Sequence, residues 1–223
     1  MSDPRAAAKR RAALQAVDLV APGMVLGLGT GSTVRYAIEE IGRRISRGEL
    51  KDVVGVPTSR ATKRLAEEAG IPLAGLNDYP EVDLTIDGAD EVDPDRNLIK
   101  GHGGALLWEK IVASASRRLV IVVDRSKLVS RLGLTKALPV EVVAFGWRVN
   151  QLGLSKLGCD PVLRTGPGGS PFSTDEGHYI LDCSFEGGIA DPVALEREIK
   201  RRPGVVETGL FLGFEPQVIV GED

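Results

Sequence analysis

The residue that most suggests chemistry in this chain is a glutamate with no charged neighbour on its own helical face. On a helix of about 3.6 residues per turn, Glu109 shares its side with Ala105, Leu106, Val112 and Ala113. None of these can ion-pair with it. Apolar neighbours raise a carboxyl pKa, and a carboxylate raised in this way suits the removal of a proton from carbon near neutral pH. A glutamate turned to solvent, or to a lysine elsewhere in the chain, fits the same letters.

Two aspartates and a lysine stand upstream of it. Asp87 and Asp90 follow the apolar run 82–86 and lie three residues apart around a turn, so both side chains can face one ligand. Solvated loop residues or helix caps account for them equally well. Glu91 reads as a surface residue, and Asp93, Pro94, Asp95 and Asn97 read as turn chemistry. Lys100 opens the turn Gly101-His102-Gly103-Gly104, where a fixed ammonium can hold a phosphate or an oxyanion. His102 is an acid–base candidate by residue type, yet its place in the turn suits a structural hydrogen bond too.

The segment Gly27-Leu28-Gly29-Thr30-Gly31-Ser32-Thr33 joins a buried strand to a helix. Unpaired N–H groups at a helix start, three hydroxyls and glycines that let a ligand approach the backbone together suit a phosphate. A P-loop fits poorly because Gly31 stands where its lysine belongs. A dinucleotide fingerprint fits poorly with Ser32 and with Pro57-Thr58-Ser59-Arg60 where an acidic group is needed. A tight turn capped by Ser or Thr is the plain alternative. Lys127, just beyond the apolar run 119–123, can approach the same crevice. Asp124 and Arg125 in its loop offer it a surface ion network instead. Lys9, in an AKRR run, reads locally as solvated.

The elements that must carry these groups are legible from periodicity. Ala13, Leu14, Val17 and Val20 make one apolar face of a helix over 6–20 that Pro22-Gly23 stop. Apolar strands at 24–27, 53–56, 82–86 and 119–123 alternate with helices near 33–49, 60–69 and 105–116, which predicts a Rossmann-like, mostly parallel sheet covered on both faces. After residue 136 the order β-α-β-β-α-β predicts a smaller α+β domain of ferredoxin-like type. The expected division is 1–135 plus 209–223 for the catalytic domain and 136–208 for the small one. A single strand is expected over 205–211, and the closing run FEPQVIVGED holds one more.

Composition narrows the class. Twenty-eight basic against 31 acidic residues give a net charge of −3, which offers no electrostatic footprint for nucleic acid. No stretch approaches the roughly 18 apolar residues of a membrane span. The N-terminal MSDPRAAAKRRAALQAV has no apolar core of a secretion signal. Cys159 and Cys183 form no CxxC pair and read as reduced, buried thiols of a cytoplasmic protein. Two histidines and two cysteines spread over positions 102–183 make no local metal cluster.

The blocks GLGTGSTV, LTIDGADEVD, IKGHGGALLWEK and VVDRSK, in that order, resemble those of the A-type ribose-5-phosphate isomerases, and LPVEVV, TDEGHYILD and PGVVETGLF extend the likeness over nearly the whole chain. The resemblance implies interconversion of D-ribose 5-phosphate and D-ribulose 5-phosphate in the non-oxidative pentose phosphate pathway, through a cis-enediolate and without metal or redox cofactor. It implies Glu109 as general base, with Asp87 and Asp90 around the sugar hydroxyls and ring oxygen. Lys100 falls at the reacting end, and Gly101 and Gly103 lie in its turn. Thr30, Gly31, Ser32 and Thr33 fall in the phosphate and substrate loop, with Lys127 on the phosphate side and Lys9 as a further basic contact. It implies a homodimer or a tetramer, with no nucleic-acid or membrane partner. His102, His178 and Thr208 depart from the family pattern, and the GPGGSP stretch lengthens one loop. The competing reading is a sugar-phosphate sensor on a related fold, which has no need of Glu109.

Overall fold

The computed structural model describes residues 5–222. In chain order the elements are α1 (Ala6–Val17), β1 (Val25–Leu28), α2 (Val34–Ser46), β2 (Val54–Pro57), α3 (Arg60–Glu68), β3 (Leu84–Asp87), β4 (Glu91–Val92), β5 (Leu98–Ile99) and α4 (Leu106–Ser114). They continue with β6 (Leu119–Asp124), β7 (Leu138–Val142), α5 (Trp147–Ser155), β8 (Asp160–Leu163), β9 (Tyr179–Ser184), α6 (Pro192–Lys200), β10 (Val205–Thr208), β11 (Leu210–Phe211) and β12 (Gln217–Gly221). Two compact units result. One holds the described residues up to Ala89, Trp108–Lys127 and those from Phe214 onward; the other holds Asp90–Leu107 and Leu128–Gly213.

The first unit is built on a five-stranded parallel sheet in the order β12-β6-β3-β1-β2. Its strands are apolar nearly throughout because helices cover both faces. Leu26, Leu28, Leu84, Ile86, Val120 and Val122 alternate onto one face and pack with Ala12, Ala13, Ala16 and Val17 of α1 and Ile38 and Ile41 of α2. On the other face Val112 of α4 packs with Val56 of β2 and Val82. Caps set the helix starts: Ser59 accepts from the Thr62 N–H at 3.0 Å at the head of α3. The closing strand β12 takes the edge beside β6, a place the sequence reading left open.

In the second unit the antiparallel sheet β10-β7-β9-β8 carries α5 and α6, giving the ferredoxin-like arrangement. Leu138, Val140, Val142, Leu154, Leu181 and Ile199 form its core. Cys183 is buried in that core, Cys159 is half-buried beside it, and both are free thiols.

Three findings differ from the sequence reading. The units part at 127/128 and 213/214 rather than at 135/136 and 208/209, and 90–107 falls with the second unit. The reason is a small three-stranded sheet, β11-β5-β4, which the turn-rich letters around Asp93 and Asn97 concealed. The run 205–211 is two strands, because the chain breaks at Gly209: its N–H donates to Pro139 O at 2.7 Å while its carbonyl accepts from Lys100 N at 2.9 Å. Glu91 is fully buried instead of exposed. Its carboxylate accepts from Gly133 N (2.5 Å), Thr135 N (2.6 Å), Thr135 Oγ1 (2.6 Å) and Lys136 N (2.8 Å), so it ties down the segment leading into β7.

Candidate active site

Within the parallel sheet, strand order reverses between β1 and β3: the chain goes from β1 outward to β2, then back across to β3 and on to β6. The carboxyl ends flanking such a switch point are where open α/β sheets take ligands. The glycine-rich turn leaves β1 at that point and Asp87 ends β3 beside it. The two ends are stitched together, with Gly29 N donating to Ile86 O at 3.0 Å and Thr30 N to Asp87 Oδ1 at 3.1 Å. Gly88 N adds a third donor at 2.7 Å to the same carboxylate oxygen. Gly29 admits no side chain, since a Cβ there would collide with the Asp87 carboxylate and its Cα.

The three hydroxyls of the turn go separate ways. Thr30 Oγ1 lies in a cluster with Thr58 Oγ1 (2.9 Å), Ser59 Oγ (2.9 Å) and Thr62 Oγ1 (3.0 Å). It therefore braces the turn against the start of α3. Ser32 is exposed and accepts from Lys9 Nζ at 3.1 Å, which brings the basic residue of α1 to the glycine turn. Thr33 is the N-cap residue of α2, buried, with no side-chain capping bond. Gly31, at φ +128°, turns the chain into that helix.

Glu109 sits in the first turn of α4 and is only 4% exposed, on the side of the helix that buries Leu106, Val112 and Ala113. The direction of α4 follows from its far end. Ser116 bridges Val82 ahead of β3 and its hydroxyl bonds to Thr85 Oγ1 at 2.6 Å, so α4 runs antiparallel to the strands. Its first turn, with Glu109, is thereby carried toward the carboxyl edge of the sheet. By strand alternation Asp87 lies on the same face of β3 as Thr85, the face that α4 covers.

Lys127 closes a single 3-10 turn after β6, half-exposed. Asp124 is not part of a surface network: it is 2% exposed and accepts from Ser126 N (3.0 Å) and Ser126 Oγ (2.5 Å). Burial pushes its carboxyl up, but the Ser126 hydrogen bonds, Arg5 at 3.6 Å and the charge of Lys127 outweigh this and hold it below its ordinary value.

In the second unit, Lys100 is buried at the end of β5. Its N–H is fixed by Gly209 O, and its ammonium lies 5.5 Å from the centroid of the Phe211 ring. The turn after it closes with Gly104 N donating to Gly101 O at 3.0 Å. Asp90 Oδ2 accepts from His102 N at 3.0 Å, so the second aspartate is anchored to the lysine's own turn. Gly103 is exposed at the tip. The His102 ring is engaged through Nε2 with Ala137 O at 2.9 Å, the structural hydrogen bond that its sequence position allowed.

The sequence reading missed Thr58, Ser59 and Thr62, although a Thr-Ser-x-x-Thr run at a helix start was signal enough for a hydroxyl cluster. It also passed over Arg164, which touches the Gly101 and His102 carbonyls; nothing in the one-dimensional pattern marks it. His178 belongs to the small domain, its Nδ1 2.9 Å from buried Glu141. Burial raises the Glu141 carboxyl above its usual range, against the lowering effect of hydrogen bonds from His178 and Thr174. A cleft of about 770 Å³ lined by Pro57, Lys63, Leu73, Trp108 and Ile111 contains none of the candidate residues. Among the described residues no three His, Cys, Asp or Glu side chains gather as a metal site, and no helix is long and apolar enough to cross a membrane.

Comparison with known proteins places this arrangement. Residues 54–223 match the family model of ribose 5-phosphate isomerase A (phosphoriboisomerase A). The chain is 53% identical over 212 residues to a ribose-5-phosphate isomerase A of Chloroflexus aurantiacus, covering 95% of this chain and 88% of that protein. It superposes on ribose 5-phosphate isomerase A from Methanocaldococcus jannaschii with a TM-score of 0.92 at 43% identity, over 98% and 96% of the two chains. A D-ribose-5-phosphate isomerase solved with phospho-erythronic acid gives a TM-score of 0.93 at 42% identity, over 96% and 93%.

Proposed function

The chain belongs to the ribose 5-phosphate isomerase A family, and from that premise we propose how its own residues interconvert ribose 5-phosphate and ribulose 5-phosphate in the pentose phosphate pathway. The observation that carries the proposal is Glu109: a carboxylate 4% exposed, in the first turn of a helix directed at the carboxyl edge of a parallel sheet. Burial on the same helical side as Leu106, Val112 and Ala113 is a setting that suits a base for a carbon-bound proton.

The phosphate is held by the N–H groups at the start of α2 with Ser32, Thr33, Lys9 and Lys127, while Thr30 and Gly31 shape the turn. Asp87 and Asp90 assist ring opening by moving a proton between the C1 hydroxyl and the ring oxygen. In the open aldehyde, Glu109 takes the C2 proton. The C–H electron pair becomes the C1=C2 bond, and charge moves onto O1 to give the cis-enediolate. The Lys100 ammonium faces that oxygen, with Gly101 and Gly103 presenting backbone beside it, so the donor is fixed before charge develops. Glu109 then returns the proton to C1, and the hydroxyl proton passes from O2 to O1. The atoms balance without a co-reactant.

The enzyme acts as a cytoplasmic homodimer in this reading. The test is incubation of the purified chain with each pentose phosphate in turn, following both by NMR. Approach to one equilibrium from either side is expected. Tight binding of ribose 5-phosphate with no interconversion identifies a sensor and overturns the reading.

A further inference from the structure

Arg164 lies between the segments LPVEVV and TDEGHYILD, just past the end of β8, with its side chain 13% exposed. Its guanidinium makes a two-pronged bond to Asp182 of β9, from Nε to Oδ2 at 2.9 Å and from Nη2 to Oδ1 at 2.5 Å. That fork leaves Nη1 pointing away from Asp182, and Nη1 donates to Gly101 O at 2.9 Å and His102 O at 3.3 Å. These carbonyls belong to the two residues that follow Lys100.

The peptide between Gly101 and His102 is therefore held at both ends. Its oxygen faces the Arg164 cation, and its N–H donates to Asp90 Oδ2 at 3.0 Å. A planar peptide cannot rotate without breaking both contacts. Arg164 thus fixes, through one peptide unit, the residue bonded to Lys100 and the carboxylate of Asp90. The far end of the turn is closed from the same loop: the Phe172 ring lies where a Cβ on Gly104 (φ +81°) would have to go. Phe172 is in turn tied to Arg164, through Phe172 N to Arg164 O at 2.9 Å and by its ring 5.8 Å from the guanidinium. Lysine could not substitute, since one ammonium does not span a carboxylate fork and two carbonyls in fixed directions.

We propose that Arg164, oriented by Asp182, is a positioning residue for the isomerisation: it sets the Lys100–Gly104 turn and thereby the donor for the developing oxyanion and the orientation of Asp90. The proposal rests on the reading above that Lys100 serves the reacting end of the sugar. A misplacement of about 1 Å costs on the order of 10²-fold in rate, so the effect belongs in kcat.

The experiment measures kcat and KM for ribose 5-phosphate in Arg164→Ala, Arg164→Lys, Lys100→Ala and the double variant Arg164→Ala/Lys100→Ala, with thermal unfolding of each. Arg164→Ala is expected to lose roughly 30–100-fold in kcat with KM within about threefold, and Arg164→Lys to retain its fold and lose roughly tenfold. In the Lys100→Ala background the Arg164 substitution should cost little more, because both act on one donor. If Arg164→Ala does not fold, Arg164→Lys decides. Normal kcat in folded Arg164 variants, a change in KM alone, or fully multiplicative losses in the double variant overturns the proposal while leaving Lys100 in place. Near-normal kcat in Lys100→Ala overturns the reading of Lys100 itself and the proposal with it.

Discussion

Glu109 carries the sharpest test at the scale of single residues. Glutamine preserves its size and one acceptor oxygen but takes no proton from carbon. Glu109→Gln should fold, bind ribose 5-phosphate nearly as wild type, and lose at least ~10²–10⁴-fold in kcat, because both carbon proton transfers use the same group. Turnover measured beside calorimetric binding checks this, and near-normal turnover would move the base to Asp87 or Asp90. Asp124 gives a test of pH. Its folded-state pKa lies below the ordinary value of 3.8, so its stabilising contribution is present above that value and is lost as pH falls through the folded one. Asp124→Asn should therefore lower stability at pH 7 by about 1–3 kcal/mol, the scale of hydrogen bonds to charged groups. The difference should close in acid below the ordinary carboxylate range. An equal deficit at both pH values would show that packing, not charge, is what the aspartate supplies.

Secondary elements explain how such residues come to be placed. The first turn of α4 reaches the carboxyl edge because the helix is antiparallel to the strands, an orientation anchored by Ser116 at its other end. The two-residue strands β4 and β5 do comparable positioning with little hydrogen bonding of their own, so they depend on side chains. Glu91 is the main one: its carboxylate accepts four hydrogen bonds from 133–136, three of them from backbone N–H groups. Glu91→Ala would leave those donors stranded in a buried place at ~1–3 kcal/mol each. The expected result is a loss of at least ~3 kcal/mol by denaturant unfolding, with kcat reduced in the fraction that folds. A loss below about 1 kcal/mol would mean that water replaces the carboxylate.

For the whole molecule, the strand order 2-1-3 at the switch point decides that the glycine-rich turn after β1 and the Asp87 carboxylate meet, and they are joined twice over, by backbone and by side chain. The assembly is the property least visible from one chain. Sedimentation at micromolar concentration should give a dimer, with a tetramer as the other expected species. A fully active monomer at every concentration would refute the assembly proposed above. The side chains and the loop of the small domain that the sequence reading set apart from the resemblance are all engaged within the fold. His178 and Thr208 pair with Glu141 and Glu196 inside that domain, and the lengthened loop supplies Phe172 to the Lys100 turn.

Periodicity and residue type by themselves determined the parallel sheet, the β-α-β-β-α-β domain, the glycine turn at a strand end and the apolar surroundings of Glu109, because these are local consequences of burial and backbone chemistry. Only the tertiary structure decided that Thr30 spends its hydroxyl on Thr58, Ser59 and Thr62, that Glu91 is buried, that 205–211 breaks at Gly209, and that Arg164 reaches the Lys100 turn. Each of these depends on partners about 30 to 60 residues away or on a sheet edge formed late in the chain. A polar side chain looks the same in sequence whether its partner is water or a distant carbonyl, and long-range pairing alone tells the two apart.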